Sequence, residues 1–95
     1  MSKWYKLLFI WVINLKYEIL KYQRVRDLRE DRNLSQEDVA QHLNVSQSTY
    51  SRYEIGERNM PLEIISELAD FYNTSIDYLV GKTDEFSPYP KSKEK

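Results

Sequence analysis

Between Lys21 and Lys82 the apolar residues return at intervals of three and four, the spacing of one helical face, and capping residues interrupt them often. Five short helices are predicted. Val25 and Leu28, with Leu34 after them, mark the first. Ser35 can cap the second, with Asp38 three residues on in a weak capping box ahead of Val39, Ala40 and Leu43. Asn44-Val45 is a turn. Ser46 can cap a third helix that ends before Gly56, a residue suited to the left-handed position beyond a helix. Pro61 suits the first turn of a fourth helix carrying Leu62, Ile65, Leu68, Ala69 and Tyr72, which Asn73-Thr74-Ser75 breaks. Ile76, Leu79 and Val80 form a last short helix, stopped by Gly81.

Residues 1–20 have a different texture. Trp4, Leu8, Trp11, Leu15, Ile19 and Tyr22 recur at helical spacing, yet Phe9, Ile10 and Ile13 lie off that stripe. A helix here is therefore apolar on more than one side. Leu7 to Ile13 would also serve as an aromatic and β-branched strand. The absence of Gly and Pro between Ser2 and Val45 favours the helix. The uninterrupted apolar run, Leu7 to Ile13, is seven residues. A bilayer-spanning helix needs about 20. No small-residue cleavage site follows, so export is not expected and a cytoplasmic location is. One small domain cannot cover two tryptophans and so many aliphatics, which leaves a protein partner or a membrane surface for residues 4–19. Residues 83–95 hold two prolines and no apolar period, the composition of a disordered tail.

Composition narrows the chemistry. Ninety-five residues with 41% hydrophobic and 31% charged side chains describe one globular domain. Lys and Arg total 14 against 15 Asp and Glu, so no global positive field holds the chain on nucleic acid. The charge is uneven: three Lys and one Glu in residues 1–19, then eight bases and eleven acids in residues 20–82. With no Cys, disulfides, thiolate metal sites and a cysteine nucleophile are excluded. The one His, His42, lies off the Val39/Leu43 stripe and reads as a surface residue. No catalytic triad, metal-ligand spacing or glycine-rich phosphate loop is present, so neither an enzyme nor a cofactor is expected.

The informative stretch runs from Gln36 to Ile55: two helices of about two turns, joined by a turn too short for them to run antiparallel. Tyr50 and Tyr53 share one face of the second of these helices, and Gln47, Ser48, Ser51 and Arg52 share the other. That polar face is either simply solvated or suited to base edges in a major groove, where Arg reads guanine and Gln reads adenine. Arg24, Arg26, Arg29 and Arg32 interleave with Asp27, Glu30 and Asp31 as an internally paired helix face, though Arg24 and Arg32 stay candidates for phosphate.

Residues 22–82 resemble the Cro/repressor-type helix-turn-helix family, also called the XRE family, of bacterial and phage regulators. The resemblance rests on Val25-Arg-Asp-Leu-Arg29, Leu34-Ser-Gln-Glu-Asp-Val-Ala40, Val45-Ser-Gln-Ser-Thr49 and Ser51-Arg-Tyr-Glu54. Gly56, Pro61, Leu68-Ala69 and Ser75-Ile-Asp-Tyr-Leu-Val-Gly81 complete it. It implies an all-α, five-helix, lambda-repressor-like DNA-binding domain at residues 21–82, preceded by the apolar extension 1–20. The helix at 46–55 would be the recognition helix. Gln47, Ser48 and Arg52 would reach base edges. Gln36 at a helix N-terminus, Ser46, Ser51, Arg58 and Asn59 would meet the sugar-phosphate backbone. Arg29 and Glu54 match a structural ion pair. Two positions depart from the pattern: Asn44 stands where the turn usually has Gly, and Tyr50 replaces a smaller aliphatic residue.

The function implied is a dimeric transcriptional regulator, a repressor, on a double-stranded operator with two half-sites. The alternative is an antitoxin-like interaction protein that neutralises a partner and autoregulates its promoter. For the leader, the resemblance suggests Leu20 as the native initiator, with residues 1–19 as translated upstream sequence. The competing expectation makes Trp4 to Ile19 a dimerisation helix or a shallow membrane anchor.

Overall fold

A computed structural model describes residues 5–12 and 22–92. All regular structure among them is helical. Residues 5–12 form α1, then follow α2 (Gln23–Asp31), α3 (Gln36–Leu43), α4 (Gln47–Glu54), α5 (Leu62–Tyr72) and α6 (Ile76–Leu79). The helix expected for the leader is thus present at residues 5–12. Trp4, Ile13, Leu15, Ile19 and the suggested initiator Leu20 lie outside the described residues.

Local chemistry accounts for the boundaries. Ser35 and Asp38 form a complete capping box: Ser35 Oγ accepts from the Asp38 N–H at 3.0 Å, and Asp38 Oδ2 accepts from the Ser35 N–H at 2.9 Å. Ser46 and Ser75 cap α4 and α6 through the N–H groups of Thr49 and Tyr78. The helix ends share one device. Asn33, Asn44, Gly56, Asn73 and Gly81, one beyond each of α2 to α6, all have φ between 57° and 84°. The amide after each left-handed residue bonds back five positions, as from Val45 to Ala40 at 3.0 Å and from Thr74 to Ala69 at 2.8 Å. Asparagine tolerates this backbone better than most residues, and both glycines of the chain serve it. Pro61 stands one position earlier than expected, as the N-cap of α5, where its missing N–H costs nothing.

α4 packs against α3 and α2, while α6 closes against α2 and α5. Val25, Val39, Leu68 and Leu79 fill the centre with the rings of Tyr50 and Tyr72. Tyr22 departs from the leader's stripe: it is buried in this core, and its hydroxyl accepts from the Met60 N–H at 3.2 Å. Tyr72 is fully buried, and its hydroxyl has no hydrogen-bond partner among the described residues. Burial, then the Glu54 charge, pushes its pKa up to about 12. Because an unsatisfied buried hydroxyl is costly, Tyr72→Phe is expected to stabilise the domain by about 1 kcal/mol in urea titrations.

Residues 83–92, within the segment expected to be a disordered tail, have no regular secondary structure and run as a strap against the domain. Arg24 anchors it, donating to the carbonyls of Tyr78 at 2.8 Å and Thr83 at 2.5 Å and pairing with Asp84 at 2.6 Å. Its guanidinium also lies 4.2 Å from the Tyr78 ring centroid. Thr74 Oγ1 donates to the Phe86 carbonyl, and the Tyr89 hydroxyl donates to Asp77. The partners lie 12 to 60 residues away, so local composition could not reveal them. Arg24 is thereby removed from the phosphate candidates, and Arg32 lies over the ring of Tyr72 at 5.1 Å.

Candidate nucleic-acid interface

An isolated eight-residue helix is marginal in water, so α4 is held in place by what it buries. Tyr50 and Tyr53 face inward at 0% and 7% exposure, as their three-residue spacing predicts. Tyr50, the bulky departure, fits because its hydroxyl finds a charged partner one turn on. It donates to Glu54 Oε2 at 2.6 Å.

Glu54 is the hub. Only 4% exposed, it accepts four hydrogen bonds. Arg29 Nε reaches Oε2 at 2.8 Å and Arg29 Nη2 reaches Oε1 at 3.1 Å, a two-pronged pair between α2 and α4. Arg29 Nη1 also donates to the Leu34 carbonyl at 2.8 Å. Gln36 Nε2 supplies the fourth bond, to Oε1 at 2.9 Å. Burial alone would raise the Glu54 pKa, but hydrogen bonds from Arg29, Tyr50 and Gln36 outweigh it and hold the carboxyl below 4.5. The Glu54 carboxylate raises Arg29 in turn. Burial and the bond to Glu54 push Tyr50 well above its ordinary value.

The other face of α4 is unengaged. Gln47, Ser48 and Arg52 are exposed, and none makes a side-chain hydrogen bond or ion pair among the described residues. Ser51 is half-buried at the edge of this strip. Ser46 is exposed, but its hydroxyl is committed to the cap: it accepts from the Thr49 N–H and donates to Thr49 Oγ1 at 2.9 Å. A phosphate there would meet the N–H groups of the first turn of α4 rather than the serine side chain. Arg58 follows α4, its backbone N–H on the Arg52 carbonyl at 3.2 Å, with its side chain exposed and without an ion pair among the described residues. Asn59 is exposed beside it.

The fold brings Gln36, Arg52 and Arg58 around the end of α4, through the Gln36–Glu54 bond and the turn that follows. Gln36 is half-buried and tied into the ion-pair cluster, which sequence reasoning did not foresee. The four-residue interval between Tyr50 and Glu54 was a signal that could have found the second link. Glu37 and Glu57 are exposed close to this surface and carry no ion pair among the described residues.

The helix-turn-helix family model matches residues 25–79, more than half of the chain and the whole of the Arg29–Glu54 cluster. The chain belongs to the Cro/repressor-type helix-turn-helix family. Its relatives include an uncharacterized HTH-type transcriptional regulator, YobD of Bacillus subtilis. The two are 37% identical over 73 residues, 77% of this chain and 63% of that protein. The cryptic phage CTXphi transcriptional repressor RstR of Vibrio cholerae is 41% identical over 61 residues, 64% of this chain and 55% of its own. The HTH-type transcriptional regulator AnsR of Bacillus subtilis is 33% identical over 75 residues, 79% and 65% of the respective chains. This helix-turn-helix chain thus spans 55–65% of the length of these curated relatives. No solved structure matches it significantly.

Proposed function

We propose that this helix-turn-helix protein is a sequence-specific double-stranded DNA-binding transcriptional regulator. It acts as a repressor, a homodimer on an operator with two half-sites. The observation that carries the proposal is the contrast between the two faces of α4. Tyr50, Tyr53 and Glu54 anchor one face, while the side chains of Gln47, Ser48 and Arg52 on the other have no partner among the described residues. Placed in a major groove, Arg52 and Gln47 have the donors and acceptors to pair with guanine and adenine edges, and Ser48 with either. Gln36 at the start of α3, Ser46 capping α4, Ser51 on it, and Arg58 and Asn59 in the loop after it would lie against the sugar-phosphate backbone.

The repressor mechanism is occupancy. Two recognition helices enter successive major grooves about 34 Å apart and block the polymerase. The similarity to RstR, a transcriptional repressor, supports that choice. The excess of acids over bases in residues 20–82 makes non-specific binding weak, so affinity depends on base contacts and on two half-sites.

The test is a selection of random duplex DNA by the 95-residue protein, followed by titration at two salt concentrations. Enrichment of an inverted repeat with half-sites one helical turn apart is expected. Failure to enrich any sequence, with binding lost at moderate salt, would overturn the proposal.

A further inference from the structure

We propose that α1 docks this protein onto the surface of an anionic lipid bilayer, lying in the headgroup layer without crossing it. Tyr5 and every residue from Leu7 to Val12 are between 49% and 66% exposed, and none belongs to the domain core. At 100° per residue these side chains encircle the helix, so no side of it is covered by the domain.

Over its eight described residues α1 offers a second copy little area. Eight residues rise about 12 Å, and half the wall of a cylinder about 10 Å across is roughly 200 Å². A stable protein interface needs about 800 Å² from each partner. Pairing also leaves the outward apolar half of each helix in water. A headgroup–acyl boundary has no such limit, and Trp and Tyr side chains settle at that level.

Charge selects the lipid. Lys3, Lys6 and Lys16 against Glu18 make residues 1–19 net positive, whereas residues 20–82 hold eight bases and eleven acids. An anionic surface therefore attracts the leader and repels the domain. The apolar stretch is too short to span, and among the described residues no helix is long and apolar enough to cross a membrane. An in-plane helix is the arrangement that remains.

The test uses the whole chain, and its two tryptophans make it direct. Trp4 and Trp11 both lie in the leader, so intrinsic fluorescence reports on that segment alone. Titration with vesicles containing phosphatidylglycerol should shift emission to shorter wavelength as water leaves the indoles, and should carry the protein into the vesicle pellet. Binding to pure phosphatidylcholine vesicles should be at least about fivefold weaker, and Lys6→Gln should weaken anionic binding by about fivefold. The double variant Phe9→Glu with Ile10→Glu should abolish both signals while leaving the circular dichroism melt of the domain unchanged, since neither residue is in its core. Equal binding to both lipids would overturn the charge selection. An unshifted spectrum would overturn the docking. A lipid-free shift that grows with protein concentration would do so in favour of self-association. Each result is independent of operator binding.

Discussion

Glu54→Ala is expected to remove about 3 kcal/mol of folding stability in urea titrations. Arg29 has a side chain only 12% exposed and would lose both prongs of its pair, while Tyr50 would lose the acceptor for a buried hydroxyl. A domain of this size has a total stability of roughly 4–10 kcal/mol, so the variant would sit near its unfolding threshold. Arg29→Ala should be comparably destabilising because it leaves a buried carboxylate with neutral donors only. The double variant should cost less than the sum of the two, and this coupling measures the pair.

The same cluster sets an acid limit. Because the Glu54 pKa is lower folded than unfolded, its contribution is complete above the ordinary value of 4.5 and is lost as pH falls through the folded value. Glu54→Gln should flatten this acid limb. A wild-type melting temperature that stays constant through that range would contradict the assignment of Glu54 as a buried ion.

Arg52→Ala and Gln47→Ala should each weaken operator binding by about 1–3 kcal/mol and relax selection at one base pair per half-site, with the melting temperature unchanged. Their side chains make no hydrogen bond or ion pair among the described residues, so stability gives no reason to expect otherwise. Arg58→Ala should differ in kind: affinity falls about equally for all sequences, and the salt slope decreases by about 1. Fluorescence anisotropy with the selected operator and with single-base variants separates the two patterns. If Arg52→Ala lowers affinity uniformly, that residue holds phosphate and the base-reading assignment moves to the first turn of α4.

The five helices of the domain were legible because their signals are local. Ser35, Ser46 and Ser75 each meet an N–H three residues away, and the left-handed helix ends fall on Asn or Gly. Val39, Leu43, Leu68 and Tyr72 repeat at helical spacing, and all are buried. The polar strip of α4 was legible for the same reason, since helical geometry puts Ser48 and Arg52 opposite Tyr50 and Tyr53.

Contacts between distant residues were not legible from spacing. Arg24 looked like one member of a solvated arginine series, and its partners Tyr78, Thr83 and Asp84 are 54 to 60 positions away. Tyr22 continued the leader's apolar stripe but turns into the domain to meet Met60. Gln36 gave no hint of its bond to Glu54, 18 residues on. In each case a side chain satisfies itself across space, and a polar or aromatic residue at a helix edge has several partners that sequence distance does not rank. Helix existence, caps and inner faces follow from interactions within about five residues, which a linear reading can enumerate. The path of the strap and the orientation of Gln36 depend on how the packed helices bring charges and carbonyls together, and only folding selects among those meetings.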